Sequence, residues 1–495
     1  MAKPFTLSVL CLCVLLSASA CFGSSSSTNR FNRCQLNSLN ALKPDHRVET
    51  DGGLIETWSS KHPELQCAGV TVTRRILYRN GLQMPSYSPY SQMIIAIQGK
   101  GALGLALSGC AETYEEPAKE SSSSSQKPSD SHQKIRQFSQ GHVLLIPRGV
   151  PYWIFNTGDE ALATVTLLDT SSEDNQLDQS PREFYLAGNP DIEHPEAMKE
   201  HQQQQMEEEG GNVLNGFGKR FLARALNIDE DIAKKLISPD DEMKQIVKLE
   251  EGLSVISPKG EGHRGVEEDD ESDESVRHKT RHEKSWKEHR PAEEDVERGE
   301  AHEEWETRER HGSNGLEETI CSSKLQHNIA RPTGADFYNP KAGRIKNLNS
   351  QSFPALKKFG LSAQYVVLYK NGIYSPHWNM DANSVVYVIR GQGHVRVVNN
   401  EGIVVFDDEL RAGQLLVVPQ NFMVAEEAGD EGFEYVVFKT NDNAVTSYLK
   451  ETFRAFPAEL LSNIYKLKQS QVHDLKFNGN WGPLVNPDPS QDQSS

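Results

Sequence analysis

The chain contains two copies of one sequence pattern, and this duplication constrains the fold more than any single motif does. Residues 76–104 match residues 366–396, and a second matched block follows each of them in the same order. The aligned landmarks are Asn80-Gly81 with Asn371-Gly372, Gly99-Lys100-Gly101 with Gly391-Gln392-Gly393, and residues 141–147 with 413–419. A chain of this kind is expected to fold as two copies of one domain.

Both copies consist of short Val, Ile, Leu and Tyr runs separated by Gly, Asn and Pro, a pattern typical of antiparallel strands and turns. Asn80-Gly81 and Asn371-Gly372 predict tight hairpin turns in which both residues adopt positive φ. Neither Gly-x-Gly precedes a helical pattern, so these glycines predict turns or bulges rather than a phosphate-binding loop. Blocks 141–147 and 413–419 predict buried strands that end at a sheet edge. The simplest architecture is two small β-barrels.

The first copy carries an insertion that the second copy lacks. Gly101 and Gly141 are 40 residues apart, whereas Gly393 and Gly413 are 20 residues apart. The extra length includes the serine run 121–125, which predicts a solvated surface loop.

An apolar helical periodicity follows each predicted barrel. After the first barrel it involves Phe221, Leu222, Ala225, Ile228, Ile232, Leu236 and Ile237, and after the second Val445, Tyr448, Leu449, Phe453, Leu460, Leu461, Ile464 and Tyr465. Pro457 must end or kink its helix, so the second signal predicts a helical hairpin. Apolar residues on more than one face of these helices predict contacts between subunits.

Residues 259–313 differ in kind from both barrels. They contain 19 Asp and Glu, 11 Lys and Arg, six His, and no Ile, Leu, Phe or Tyr. Such a segment cannot bury enough apolar surface to offset its chain entropy, so it is expected to be a disordered linker. The histidines follow no fixed spacing, and we therefore predict no metal site among them.

Charge and the N-terminus limit the classes of partner. The net charge of −18, from 70 acidic and 52 basic side chains, repels phosphate backbones and anionic lipid, so neither nucleic acid nor a membrane is an expected partner. Residues 5–16 are apolar and follow Lys3, which predicts a secretory signal peptide. Cleavage after Ala20 or after Gly23 fits the small residues there, and Gly23 is preferred. No later run reaches the roughly 18 apolar residues of a spanning helix.

Cleavage after Gly23 leaves an even number of cysteines, namely Cys34, Cys67, Cys110 and Cys321. In an oxidising compartment they predict two disulfides, and the sequence alone leaves all three pairings open. No Cys-x-x-Cys pair remains, so neither thiolate-bound zinc nor a redox motif is expected.

The paired blocks resemble the two motifs of the cupin superfamily, whose barrels are jelly rolls. Metal-binding cupins carry His-x-His and a Glu in the first motif and a third His in the second. The corresponding positions are His377, Asn379, Ser384 and Val424 in the second copy and Pro85, Tyr87, Gln92 and Tyr152 in the first. One ligand of four survives, whereas a catalytic first-row metal needs about three protein ligands. The resemblance thus predicts no metal, no cofactor and no catalytic residue, with His377 a structural or surface histidine.

A second resemblance is more specific. Residues 314–321 read Asn-Gly-Leu-Glu-Glu-Thr-Ile-Cys and closely resemble the processing site of legumin-type (11S) seed storage globulins. The likeness extends from about Cys34 to Pro483 and includes the duplication and the acidic insert. It implies a nutrient reservoir, not an enzyme, in which an asparaginyl endopeptidase of the vacuole cuts between Asn314 and Gly315.

The same resemblance implies a pairing of the cysteines and an assembly. Cys34 would pair with Cys67, and Cys110 with Cys321, so that the second disulfide holds the two chains together after the cut. The proform would be a homotrimer formed through the helical arms, and the processed form a hexamer in the protein storage vacuole of seeds.

The chain thus divides into four parts. They are a signal peptide at 1–23, a barrel with a helical arm at 24–256, an acidic linker at 257–314, and a second barrel with its arm at 315–495. The fold class is all-β dominated, with two jelly-roll barrels each followed by a small helical arm.

Two other functions remain open from the sequence. One is a cupin enzyme with an atypical site near His377, which stoichiometric bound metal would support. The other is a ligand-binding bicupin that uses a barrel interior. The core positions read as apolar, with no evident set of convergent polar groups, which argues against the ligand-binding alternative.

Overall fold

The computed structural model describes four main ranges of the chain and one short strand pair. These are residues 34–110, 135–190, 211–253 and 321–486, except for 35, 60, 173, 178–180, 238–242, 322 and 479–481, together with 114–115 and 131–132. The described residues fall into two compact units. The larger unit contains the described residues of 1–106, 136–253 and 324–495, and the smaller unit contains those of 107–135 and 254–323.

The first barrel consists of two antiparallel sheets. Its elements, with a short pair from the smaller unit, are β1 (His46–Thr50), β2 (Gly53–Trp58), α1 (Pro63–Ala68), β3 (Val70–Leu77), β4 (Gly81–Tyr87), β5 (Gln92–Gln98), β6 (Lys100–Leu105), β7 (Tyr114–Glu115), β8 (Ser131–His132), β9 (Arg136–Ser139), β10 (His142–Ile146), β11 (Tyr152–Asn156), β12 (Leu162–Asp169), β13 (Phe184–Tyr185), β14 (Ile246–Lys248) and β15 (Gln326–Asn328). One sheet has the order β1-β2-β3-β12-β5-β10-β15, and the other has β13-β4-β11-β6-β9 with β14 added beside β4. In the smaller unit, β7 pairs with β8.

The second barrel repeats this plan in one continuous set of paired strands. Its strands are β16 (Phe337–Asn339), β17 (Gly343–Leu348), β18 (Ser362–Leu368), β19 (Ile373–Asn379), β20 (Ser384–Val398), β21 (Val404–Arg411), β22 (Leu415–Val418), β23 (Met423–Lys439), β24 (Thr446–Tyr448) and β25 (Leu484–Val485). The order is β16-β17-β18-β23-β19-β24, while β20 pairs with β21, β22 and β23, and β25 pairs with β19. The predicted fold class of two barrels dominated by strands is therefore confirmed.

The two Asn-Gly turns form where predicted, with a different backbone. Asn80 and Asn371 adopt left-handed φ values of 60° and 56°, but the glycines after them do not. The N–H of Gly81 closes the turn by donating to the carbonyl of Tyr78 at 2.8 Å. Both glycines are instead required by close packing, since a Cβ on Gly372 would lie 2.2 Å from a backbone carbonyl oxygen. The prediction that both residues of each pair take positive φ was wrong.

Helical arms follow both barrels, as the periodicity predicted. They comprise α2 (Lys219–Leu226) and α3 (Glu230–Ile237) after the first barrel, and α4 (Leu449–Ala455), α5 (Ala458–Tyr465) and α6 (Gln469–Phe477) after the second, with 3-10 turns at Asn215–Phe217 and Pro354–Lys358. Pro457 separates α4 from α5, which confirms the predicted break. Helix α6 was not predicted, because its polar sequence carries only Val472 as a buried apolar residue. No described helix is long and apolar enough to cross a membrane.

Both arms leave large apolar side chains exposed. Phe221 in α2 is 60% exposed and Ile464 in α5 is 54% exposed. The others on the arms are Phe217, Leu226, Ile232, Leu460, Tyr465 and Phe477. Each arm thus exposes its own set of large apolar side chains.

The two strands formed by the matched blocks 141–147 and 413–419 pair with chain segments from the opposite half of the sequence. Strand β10 pairs with β5 on one side and with β15, which precedes the second barrel, on the other. Strand β22 pairs with β20, and its first residue, Leu415, forms a bridge with Leu42, which precedes the first barrel. Residues 326–328 thus belong to the first barrel in space, although the sequence analysis grouped them with the second.

A polar contact joins the two barrels within the larger unit. Arg74 of β3 donates from Nη1 to the Tyr387 hydroxyl of β20 at 2.8 Å and also forms an ion pair with Glu56. The ring of Trp58 meets the ring of Tyr387 edge to face at 6.1 Å. The barrels therefore share a hydrogen-bonded contact in addition to their covalent connection.

Candidate functional site

The positions that correspond to cupin metal ligands meet on neighbouring strands of the second barrel. His377 and Asn379 lie on β19, where His377 pairs with Val424 of β23. The Asn379 side-chain amide donates to the Ser384 hydroxyl at 2.6 Å, and the Thr446 hydroxyl donates to the Asn379 amide oxygen at 2.9 Å. The structure thus brings the four positions together, and the side chains of Asn379 and Ser384 share a hydrogen bond.

His377 is a buried histidine that packs as an aromatic ring. Its imidazole stacks on the Tyr374 ring with centroids 3.9 Å apart and an angle of 12° between the planes. Its Nδ1 lies 3.0 Å from the Ser375 carbonyl oxygen, which can only accept, so we assign the proton to Nδ1. Burial lowers the pKa of His377 to about 3, and the nearby Lys439 charge acts in the same direction. The ring is therefore neutral across the physiological pH range.

Two further titratable residues line the same interior. Glu426 of β23 places its Oε2 4.0 Å from His377 Nδ1, and burial raises the pKa of this carboxyl to about 8. Lys439, at the end of β23, donates from Nζ to the Thr446 hydroxyl at 2.9 Å. Burial lowers the pKa of Lys439 to about 8. Together with Tyr435, whose pKa is raised by burial, these groups form what we call the inner polar cluster: His377, Asn379, Glu426, Tyr435 and Lys439.

Sequence reasoning missed Glu426 and Lys439. Charged residues in strands usually face solvent, and the neighbouring Glu427 does so. The available signal was the alternation of Val424, Glu426 and Ala428, which places the carboxylate on the apolar face. That pattern is a weak signal, because one unrecognised β-bulge would move the carboxylate to the opposite face of the strand.

In the first barrel, the residues at two of the corresponding positions also share a hydrogen bond. The Tyr152 hydroxyl of β11 donates to the Gln92 side-chain oxygen of β5 at 3.1 Å, and both residues are buried. Pro85 and Tyr87 lie on β4, where the Tyr87 ring stacks on Phe184 at 5.1 Å. These side chains offer a structural hydrogen bond and an aromatic contact rather than a ligand set.

The interior of the first barrel is more polar than the sequence analysis expected. Thr57, Thr73 and Thr166 stand opposite one another across β2, β3 and β12, and all three are almost fully buried. Their hydroxyls form no hydrogen bond within the described residues, and the same holds for the Gln83 side-chain amide. The interpretation that the barrel cores lack convergent polar groups was wrong. Pairing of β2, β3 and β12 places three alternating threonines side by side, which cannot be read from one strand alone.

Neither interior provides the ligands of a catalytic metal. Within the described ranges, no group of three or more His, Cys, Asp and Glu side chains is arranged to hold a metal ion. The inner polar cluster offers one imidazole and one carboxyl group, which is fewer than the roughly three protein ligands that such sites use.

Two disulfides lie within the described residues. Cys34 is bonded to Cys67 with Cα atoms 5.1 Å apart, and Cys110 is bonded to Cys321 with Cα atoms 5.6 Å apart. The second bond joins residues on either side of the acidic linker. Asn314 and Gly315 lie outside the described residues, as do the predicted signal peptide, the serine run and linker 257–314.

Two barrels with cupin topology in one chain define a bicupin, and comparison with known proteins narrows the class. A family model described as Cupin matches residues 39–192 and 327–473. The chain is 56% identical to Glycinin G4 of Glycine max over 99% of both chains, and 52% identical to Legumin J of Pisum sativum over the full length of both. The crystal structure of the coconut allergen cocosin is 35% identical, covers 92% of this chain and 100% of its own, and gives a TM-score of 0.73.

The chain therefore belongs to the cupin family and, within it, to the legumin-type (11S) seed storage globulins. A more distant likeness is to oxalate decarboxylase of Bacillus subtilis, with a TM-score of 0.59. At 13% identity this likeness shows the shared fold alone.

Proposed function

We propose that this chain is a seed storage globulin, a nutrient reservoir of the protein storage vacuole that is cleaved after Asn314 and assembles as a trimer and then a hexamer. The observation that carries the proposal is the state of the two barrel centres. In both barrels, two residues at positions that correspond to cupin metal ligands share a hydrogen bond, namely Gln92 with Tyr152 and Asn379 with Ser384. The fold is thus retained as a stable scaffold without a metal centre, and its relatives are named as storage globulins.

Cleavage between Asn314 and Gly315 is supported by the sequence around it. The pair follows a segment of mixed charge without Ile, Leu, Phe or Tyr, which a protease can draw into its active site in extended form. Cys110 and Cys321 lie on opposite sides of this bond, so the disulfide between them would link the two product chains. An asparaginyl endopeptidase is the proposed partner, and residues 1–23 are the proposed signal peptide that delivers the chain to it.

The exposed apolar arms support oligomer formation. Helices α2 and α3 present one apolar face, and α5 and α6 present another on a different part of the chain. A contact between two different patches is heterologous, and such a contact closes into a ring when the rotation permits. We propose that the first arm of each copy packs on the second arm of the next, which gives the trimer. The hexamer would form from two such rings after cleavage.

Denaturing electrophoresis of protein from mature seed, which also separates chains that are held together without covalent bonds, tests the processing. We expect one band near full length without reductant and two bands with it, and N-terminal sequencing of the smaller chain should begin at Gly315. A single reduced band would contradict the proposal. In a digest of the purified proform by asparaginyl endopeptidase, Asn314→Gln should block the cut. The matched control Asn215→Gln, at another Asn-Gly pair, should be cut like the unmodified chain.

The inner polar cluster favours one alternative, a cupin enzyme or ligand-binding bicupin with an atypical site near His377. Buried polar side chains that have no evident structural role often mark a binding or catalytic site. Metal analysis of the purified protein distinguishes the alternatives, because a stoichiometric metal lost in His377→Leu would favour an atypical cupin site over a scaffold.

A further inference from the structure

A segment from the start of the chain is part of the second barrel. Leu36 and Leu39 belong to the buried hydrophobic cluster of that barrel. The Leu39 N–H donates to the Val405 carbonyl at 2.8 Å, and Leu42 and Leu415 exchange two hydrogen bonds of 2.7 and 3.1 Å. We call residues 36–42 the first exchanged segment. It supplies both main-chain hydrogen bonds and core side chains to a barrel that begins almost 300 residues later.

A segment that follows the proposed cleavage site is part of the first barrel. Residues Gln326–Asn328 form β15 on the edge of β10. On either side of it, the Leu145 N–H donates to the Leu325 carbonyl and the Ile329 N–H donates to the Gly141 carbonyl, both at 2.9 Å. Leu325 and Ile329 are buried. We call residues 325–329 the second exchanged segment.

The two exchanges are equivalent by the internal repeat. Residues 141–147, which contain β10, match residues 413–419, which contain β22. Each of these strands accepts the segment that precedes the opposite barrel. The exchange is therefore reciprocal, and each half of the chain lends its leading segment to the other half.

We infer that the two chains produced by cleavage in the acidic linker remain interlocked through these segments, with each segment acting as a strand-forming peptide ligand of the other chain's barrel. This inference rests on the proposed cleavage only for its biological setting. It changes the role of the Cys110–Cys321 disulfide, since the exchanged segments hold the chains together after that bond is reduced.

The chemistry of the exchange is that of strand addition. Main-chain hydrogen bonds give such contacts their affinity, and side chains that enter the core give them specificity. At both sites the two kinds of contact occur together, because buried Leu or Ile side chains flank the hydrogen-bonded residues. The Cys34–Cys67 disulfide further ties the start of the first exchanged segment to α1. Release of one chain requires that both segments leave their barrels.

The test uses the full chain with a site for a sequence-specific protease inserted within residues 259–313, so it does not depend on a natural cut at Asn314. The purified protein is cut, and Cys110→Ser with Cys321→Ser removes the disulfide between the chains. Hydrogen exchange then reports the amides of Leu42, Leu415 and Ile329. We expect their protection to change by less than threefold on cutting. A loss of 100-fold or more, or separation of the chains on a sizing column, would overturn the inference.

Substitutions in the segments give a second measurement on the same background. Aspartate at all four buried positions, Leu36, Leu39, Leu325 and Ile329, acts on both segments, so it should release the chains after cutting and lower protection at Leu415 at least 100-fold. The matched control is Leu177→Asp, at a half-exposed position outside both segments. If the cut chains of the fourfold variant stay together as firmly as those of the control, other barrel contacts hold them and the inference is wrong. Should the variant fail to fold before cutting, the cut parent chain decides the question.

Discussion

Glu426 gives the second barrel a pH dependence that one substitution should remove. Its carboxyl is buried, and burial raises its pKa from an ordinary value of 4.5 to about 8. The folded protein therefore holds a proton that the unfolded chain has released between these pH values. A carboxyl of this kind stabilises the fold fully below pH 4.5, and this stabilisation is lost as the pH rises through 8.

The neighbouring groups leave one window in which Glu426 acts alone. His377, with a pKa lowered from 6.5 to about 3, binds protons in neither state above pH 6.5. Lys439, with a pKa lowered from 10.5 to about 8, stays mostly protonated in both states below pH 7.5. Tyr374 and Tyr435 remain neutral, because burial raises the pKa of both well above 10. Between pH 6.5 and 7.5 a little less than one proton thus couples to folding, and Glu426 supplies nearly all of it.

The size of the effect follows from that single proton. Linkage gives about 1.4 kcal/mol per pH unit for one proton, and partial titration of Glu426 and Lys439 reduces it, so the free energy of unfolding should fall by about 1 kcal/mol from pH 6.5 to pH 7.5. Below 6.5 the slopes of Glu426 and His377 oppose each other, which predicts a plateau down to about pH 4.5. Glu426→Gln removes the titrating group and should abolish this fall between pH 6.5 and 7.5.

Urea unfolding at fixed protein concentration, followed by tryptophan fluorescence, measures this slope. Trp378 lies beside His377 on β19 and reports the second barrel. The matched control is Glu427→Gln, since Glu427 is the exposed neighbour on the same strand and should leave the slope unchanged. If Glu426→Gln keeps the slope of the parent chain, Glu426 is not the titrating group and the reasoning is refuted.

Three further outcomes follow from contacts in the two barrels and one arm. Phe221→Ser should shift the assembly toward monomers in light scattering, because it removes a 60%-exposed ring from the first arm; an unchanged mass would place the subunit contact elsewhere. Gly372→Ala should lower the free energy of unfolding by about 2–4 kcal/mol, because the added Cβ would lie 2.2 Å from a backbone oxygen. The control Gly216→Ala should be nearly neutral in the same urea titration, because its added Cβ would have no atom within 4 Å. Arg74→Met should cost about 1–3 kcal/mol by leaving the buried Glu56 carboxylate without its closest partner, and a neutral result would show that the contact between barrels contributes nothing.

Much of the fold could be predicted from the sequence, because the repeat shows each strand and turn pattern twice in the same order. The strands and both helical arms were placed by apolar periodicity, and Pro457 marked the helix break correctly. The turn conformation at Gly81 was not accessible, since its glycine is needed for a close approach of the Gly52 carbonyl rather than for positive φ. That requirement depends on a second segment of chain that no local pattern reveals.

The exchanged segments were missed for a similar physical reason. A strand of three residues such as Gln326–Asn328 carries too little periodicity to be recognised. The sequence did predict that blocks 141–147 and 413–419 form buried strands. A buried strand needs partners for its N–H and C=O groups on both sides, but nothing in the two blocks indicates which segment supplies the second partner.

The positions that correspond to cupin metal ligands show how polar residues can occupy a barrel centre. A buried polar side chain costs less free energy when its hydrogen-bonding groups find partners. At these positions, the Tyr152 hydroxyl donates to the Gln92 side-chain oxygen, and the Asn379 amide donates to the Ser384 hydroxyl. Because each pair shares a hydrogen bond, polar residues at these positions do not by themselves indicate a ligand site, and the polarity of a barrel interior is a poor guide to its function.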